Sequence, residues 1–217
     1  INRETTTLIN TLNSFRDNMS SIHEVNLKDL IVERIIPYVE ASIVPCAFRF
    51  TLDTDSPVVL GYYVNFGRAL VNMISNSLEA ISETERKGCI DIMIRESTRD
   101  ENEVVMVVKD NGIGIPEELL ETDYSGYPAF VGNTTKDRKA GEGLGTIQIY
   151  STFGVENIHV SSTWGKGSEW TVRFKKPMQG QDKGYARLER RYNELKQLSE
   201  VYSIGPETHR TEVITFI

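Results

Sequence analysis

With 217 residues the chain has room for one domain plus extensions, and 39% hydrophobic and 25% charged residues are the balance of a globular protein that can close a core. A net charge of -7 argues against a nucleic-acid-binding surface. No apolar run is long enough to span a bilayer, and the first ten residues lack the apolar core of a signal peptide. Cys46 and Cys89 stand in strand-like apolar stretches, which predicts buried, unpaired thiols in a reducing compartment, and the three scattered histidines lack zinc-ligand spacing. A first residue of Ile rather than Met reads as a fragment or as a start that is not included.

In chain order, residues 3–22 carry one narrow apolar stripe, Leu8, Leu12, Phe15, Met19 and Ile22, suited to packing against one other helix. Asn26 is placed to cap a second helix over 27–41, which Pro37 kinks or ends early. Short strands are expected at 46–52 and 57–60 around an Asp53-to-Pro57 turn. Residues 62–84 give the longest helical signal, with Phe66, Leu70, Met73, Ile74, Leu78 and Ile81 facing inward. Asn72 and Asn76 are four apart and so share a helix face. Asparagine is mildly unfavourable inside a helix. The pair is either a solvated polar face or a set of carboxamide oxygens for a divalent cation such as Mg2+.

After Gly88, residues 89–96 and 103–109 read as a hairpin. The second arm runs into Asp110-Asn111-Gly112-Ile113-Gly114-Ile115-Pro116. Two glycines at alternate positions allow a sharp turn against which a flat ligand can lie, and Asp110 can accept a hydrogen bond from an exocyclic amine. Residues 117–121 suit one helical turn, and 122–142 form a long polar loop in which Thr134, Thr135 and Lys136 suit phosphate oxygens. Gly141-Glu142-Gly143-Leu144-Gly145 opens a helix over 144–153, where backbone N–H groups and the helix dipole favour phosphate. A hairpin follows over 156–163 and 168–175. Residues 182–202 carry a heptad-like seam of Tyr185, Leu188, Tyr192, Leu195 and Tyr202, and Thr211–Ile217 reads as a strand. That strand completes a sheet edge or begins another domain.

The order Asn72-x-x-x-Asn76, Asp110-x-Gly112-x-Gly114-Ile115, Thr134-Thr135-Lys136 and Gly141-x-Gly143-Leu144-Gly145 resembles the N, G1, F and G2 boxes of the catalytic ATP-binding domain of sensor histidine kinases. Gly165-Lys166-Gly167-Ser168-x-Trp170 resembles that family's closing Gly-x-Gly-Thr-x-Phe strand, and the resemblance covers residues 24–177. It implies the Bergerat fold: an α/β (α+β) two-layer sandwich with a mixed, mainly antiparallel sheet and helices on one face. Residues 1–23 would then be the end of a dimerisation or linker helix, and 178–217 an extension of unassigned role. The resemblance implies ATP or ADP and Mg2+ as ligands. Asn76 would hold the metal and Asn72 would support metal or phosphates. Asp110 would read the adenine amine, Gly112, Gly114 and Ile115 would shape its pocket, and Ser168 would line it. Thr134, Thr135, Lys136, Gly141, Gly143, Leu144 and Gly145 would hold phosphates, with Asn72, Asn76 and Lys136 serving catalysis.

Gyrase-type relatives carry a water-activating Glu where this chain has Asn72, and an amide is no general base, so phosphoryl transfer to a protein is expected over hydrolysis. Serine kinase activity is the lesser option for the same reason. Ser77 stands where the family usually has Ala, Val131-Gly132-Asn133 replaces an aromatic-rich box, and Thr146 replaces a common Leu. His23-Glu24-Val25-Asn26 superficially resembles the phosphoacceptor box, but it precedes Asn76 by only 53 residues and lacks the following Pro. His23 is therefore expected at a helix end, with the acceptor outside this sequence. The expected partners are a nucleotide, histidine-bearing dimerisation helices of the same protein, a response regulator and, for the full-length chain, a second copy; no nucleic acid is expected. The expected location is the cytoplasm, in a protein that could be anchored in a membrane. The alternatives are a nucleotide-sensing module or pseudokinase of the same fold without phosphotransfer, and a slow ATPase.

Overall fold

A computed structural model describes residues 22–132 and 144–177 and the backbone of the strand Glu212–Phe216. The stretches 3–22 and 182–202 read as helices from sequence lie almost wholly outside the described residues. The first element is β1 (His23–Asn26), not a helix end, and it pairs antiparallel with β3 (Val58–Gly61) in a two-stranded sheet. His23 is thus a strand residue opposite Gly61. Its place follows from Val25, fully buried opposite the equally buried Val59, and from the Leu27 N–H donated to the Pro57 carbonyl at 2.9 Å.

Asn26 does cap the next helix: its Oδ1 accepts from the N–H groups of Lys28 at 2.9 Å and Asp29 at 3.3 Å. Helix α1 (Leu27–Leu30) widens into a π-helical turn (Ile31–Ile35) and resumes as α2 (Ile36–Glu40). The Ile36 N–H reaches five residues back to the Ile31 carbonyl. The widened turn ends at Ile35, two residues before Pro37, which has no N–H to continue the regular ladder.

The main sheet has six strands in the order β6-β7-β5-β4-β2-β8. These are β2 (Cys46–Asp53), β4 (Gly88–Glu96), β5 (Glu103–Asp110), β6 (Ile158–Thr163), β7 (Gly167–Lys175) and β8 (Glu212–Phe216). Among the described residues only β2 and β4 run parallel; every other neighbouring pair is antiparallel. The strands at 46–53 and 58–61 are therefore not a hairpin. β2 joins the large sheet beside β4, and β3 joins the small one.

One face of the large sheet carries Phe48, Phe50, Ile90, Ile92, Met106, Val108, Val172 and Phe174, all buried. It packs on α3 (Tyr63–Ser82) and α5 (Leu144–Phe153). The rings of Phe66, Phe153 and Phe174 lie 5.2–5.4 Å apart, centroid to centroid, and join α3, α5 and β7. The opposite face carries exposed ion pairs, Arg49–Asp91 and Lys109–Glu169, which contribute little to stability. Cys46 and Cys89 are free thiols, partly exposed rather than fully buried. A short helix α4 (Glu117–Leu120) follows Pro116. Among the described residues no helix is long and apolar enough to cross a membrane.

The Asn26 cap makes one prediction. Asn26→Ala removes an acceptor for two helix N–H groups and should cost about 1 kcal/mol, read as a lower urea midpoint at an unchanged m value.

Candidate functional site

Asp110 is the last residue of β5 and only 4% exposed. A carboxylate at that depth costs free energy unless donors surround it. Three are present. Its Oδ1 accepts from the Gly112 N–H at 2.9 Å and the Ser168 N–H at 3.3 Å, and its Oδ2 accepts from the Ser77 hydroxyl at 3.2 Å. Burial still pushes the Asp110 carboxyl above the ordinary range, with the Gly112, Ser77 and Ser168 bonds pulling the other way. Oδ1 has both lone-pair directions taken, so Oδ2 is the atom with capacity for a further donor.

The turn after Asp110 is held on all sides. Asn111 accepts the Cys89 N–H through Oδ1 at 2.7 Å and donates Nδ2 to the Lys87 carbonyl at 2.9 Å. The Ile113 N–H reaches the Ala80 carbonyl of α3 at 2.9 Å, and the Arg86 guanidinium donates to the Gly112 carbonyl at 2.9 Å. The glycines are steric necessities. A Cβ at Gly112 would sit 2.6 Å from the Ala80 Cβ, and Gly114, at φ +81°, would put one 2.4 Å from the Thr163 carbonyl oxygen. Ile115 donates its N–H to the Ser162 hydroxyl at 2.7 Å.

Helix α3 links this end to the next group. Ser77 faces Asp110, Asn76 precedes it, and Asn72 lies five residues back, about 7.5 Å along the axis at 1.5 Å per residue. Asn76 is half-buried, and its carboxamide has no hydrogen-bond partner among the described residues. Asn72, also half-buried, donates Nδ2 to Gln148 Oε1 of α5 at 2.6 Å. Gly145 lies against it, with a built Cβ 3.6 Å from the Asn72 Cγ. Leu144, the first residue of α5, is exposed.

The structure thus brings Asn72, Asn76, Asp110, Gly112, Gly114, Ile115, Ser168 and Gly145 to one side of α3. Thr134, Thr135, Lys136, Gly141 and Gly143 lie outside the described residues. Two surface grooves lie elsewhere, one of about 460 Å3 lined by Arg95, Arg99, His159 and Arg173, the other of about 490 Å3 between Ile36, Val44 and Phe48.

Sequence reasoning gave no role to Ser77, Asn111, Arg86, Ser162 or Gln148. Ser77 had a signal: it is a hydroxyl three residues after Ile74 and beside Leu78 on the buried stripe, and it is only 2% exposed. The others had none, because each acts through a neighbour distant in sequence.

A two-layer domain with a buried carboxylate at a glycine turn, and with two helices packed on the same sheet face, points to a known class of nucleotide-binding domain. Comparison with known proteins fixes the class. Residues 61–179 match the family described as histidine kinase-, DNA gyrase B-, and HSP90-like ATPase, and the chain belongs to that family. It is 32% identical over 157 residues to Sporulation kinase A of Bacillus subtilis (strain 168), covering 70% of this chain and 23% of that protein. It is 34% identical over 113 residues to the sensor histidine kinase YvrG of the same organism, covering 51% of this chain and 18% of that one. The chain therefore spans less than a quarter of the length of either relative.

Among solved structures, the catalytic domain of the histidine kinase ThkA superposes with a TM-score of 0.56 at 24% identity, covering 72% of this chain and 96% of that one. The mycobacterial sensor histidine kinase MprB gives 0.56 at 17% identity, covering 73% and 100%. The chain shares its fold with both.

The donor set around Asp110 makes a second prediction. In Asp110→Asn the amide oxygen keeps the Gly112 and Ser168 bonds, and Nδ2 can donate to the Ser77 hydroxyl. The variant should fold but should lose an acceptor for an exocyclic amine, weakening ATP binding about tenfold or more, read by calorimetry. The sign with pH follows from the raised folded pKa. The folded wild type binds more protons than the unfolded chain between the ordinary carboxylate pKa and the raised one, so its stability relative to Asp110→Asn should fall as pH rises through that window.

Proposed function

We propose that residues 24–177 are the ATP-binding catalytic domain of a sensor histidine kinase, which passes the γ-phosphoryl group of Mg-ATP to a histidine on dimerisation helices of the same protein. The observation that carries this reading is the placement of an oriented buried carboxylate and two asparagines along one helix, with a glycine-led helix packed beside them. The family match and the naming of relatives as kinases support it.

In this reading Asp110 Oδ2 accepts from the adenine amine, the Gly112–Gly114 turn supplies a flat wall, and Ile115 and Ser168 close the base pocket. Leu144 and Gly145, at the N-terminus of the ten-residue α5, offer backbone N–H groups to phosphate oxygens. Thr134, Thr135, Lys136, Gly141 and Gly143 would complete the phosphate contacts, as their motifs imply. The residues fit a magnesium ion: the unpartnered Asn76 carboxamide is a neutral oxygen ligand of the kind a phosphate-bound Mg2+ accepts, with Asn72 one turn away. When bound, the ion would neutralise charge on the triphosphate oxygens.

The protein's part is positioning. The neutral imidazole lone pair forms the new N–P bond, the bond from the γ-phosphorus to the bridging oxygen breaks, and ADP leaves with the electron pair. The proton on the opposite ring nitrogen passes to solvent. Hydrolysis has no comparable machinery four positions before Asn76, because Asn72 is an amide already bonded to Gln148. In this reading the domain is cytoplasmic, the full-length chain is a homodimer that could be anchored in a membrane, and its partner is a response regulator.

Two measurements test the proposal. Full-length protein incubated with γ-labelled ATP should acquire acid-labile, alkali-stable label; absence of label would favour a sensor of the same fold. Asn76→Ala should weaken Mg-dependent ATP binding about tenfold, the worth of one lost ligand at roughly 1.4 kcal/mol, while leaving adenosine binding unchanged.

A further inference from the structure

The helix that opens with the glycine run carries an amide where its packed face could take an apolar residue. Gln148 follows Gly145 by three positions, so both lie on the same side of α5. They bracket Asn72. The Gly145 backbone lies against the Asn72 side chain, a built Cβ falling 3.6 Å from Cγ and 3.9 Å from Nδ2, and Gln148 Oε1 takes the Nδ2 proton at 2.6 Å. Both residues are half-buried, where a carboxamide without a partner is unfavourable. Asn76, on the same face of α3, has no such bracket among the described residues.

We propose that Gln148 is a positioning residue: it fixes the Asn72 carboxamide through the Nδ2–Oε1 hydrogen bond, so that Asn72 Oδ1 is the atom left to meet the magnesium–triphosphate end of the nucleotide. This rests on the nucleotide reading above. An asparagine free to turn about its last torsion offers oxygen or nitrogen equally. A metal is served only by the oxygen; with Nδ2 committed to α5 that oxygen is the end left over, and because the Asn72 and Gln148 amides can turn together, a cation at Oδ1 is what selects this arrangement. The same bond ties the seating of Asn72 to the position of α5. Asn72 presents its oxygen only while α5 is packed on α3 at this spacing.

A merely structural role, two amides satisfying each other between helices, predicts something different, and binding measurements on the whole chain separate the two. The variants are Gln148→Leu, Asn72→Ala and the double variant, each titrated with Mg-ATP and with adenosine. Gln148→Leu should weaken Mg-ATP binding about fivefold to tenfold, as expected for one oriented hydrogen bond, and leave adenosine binding within twofold. Added to Asn72→Ala, it should cause no further loss, because it acts through Asn72. If Gln148→Leu does not fold, Gln148→Asn, too short to reach Asn72, is read by the same criteria. Equal weakening of adenosine and Mg-ATP, multiplying losses in the double variant, or unchanged Mg-ATP binding would each overturn the proposal. A wild-type chain that binds neither ligand would instead overturn the nucleotide reading itself, and this inference with it.

Discussion

A buried carboxylate is the constraint around which this domain is arranged. Asp110 is nearly inaccessible, and it can remain an anion there only because α3, its own turn and β7 each aim a donor at it. Each donor fixes a distance, so three elements far apart in sequence must meet at one point. The fit leaves no slack: a Cβ at Gly167 would fall 2.1 Å from the Asp110 carbonyl oxygen, which admits β7 beside Asp110 only with glycine at its first position. The donors that hold the carboxylate place two bonds on Oδ1 and one on Oδ2, which leaves Oδ2 with room for one more donor.

The turn that follows Asp110 is rigid for an equally local reason. Asn111 binds the Cys89 N–H and the Lys87 carbonyl with its side-chain amide, Ala80 of α3 and Arg86 just beyond it hold the turn, and the Gly165 N–H closes it from the β6–β7 loop by donating to the Ile113 carbonyl at 2.6 Å. Helix α3 is thus anchored at the end that would meet a base. Its middle, at Asn72, is shared with α5 through one side-chain bond. A ligand spanning the two would lie against a fixed wall at one end and against a helix contact at the other.

Asn72 and Asn76 show how little a spacing says by itself. They share a helix face and a residue type, both are half-buried, and the spacing alone does not tell them apart. In the folded chain one amide is tied across to α5 and the other has no partner among the described residues, so their chemistry differs. The Asn72 bond depends on Gln148 of α5, which no pattern within α3 reveals.

The sequence by itself determined the local elements and the motif order. The apolar stripe of α3, the β-rich run ending at Asp110, the Asn26 cap and the glycines of the turn depend on neighbours within a few residues, so their periodicity and steric needs are written locally. The resemblance to histidine-kinase catalytic domains followed from that order, and the family match and superposed folds agree. What only the tertiary structure decided was who faces whom. His23 belongs to a strand paired with β3 because Val25 and Val59 are buried together. Thr211–Ile217 reads as a strand from its pattern, but only the fold sets Glu212–Phe216 against β2 at the sheet edge. Ser77 meets Asp110 across 33 residues and Asn72 meets Gln148 across 76. Such pairings depend on how whole elements stack, and no pattern within a single segment carries that information.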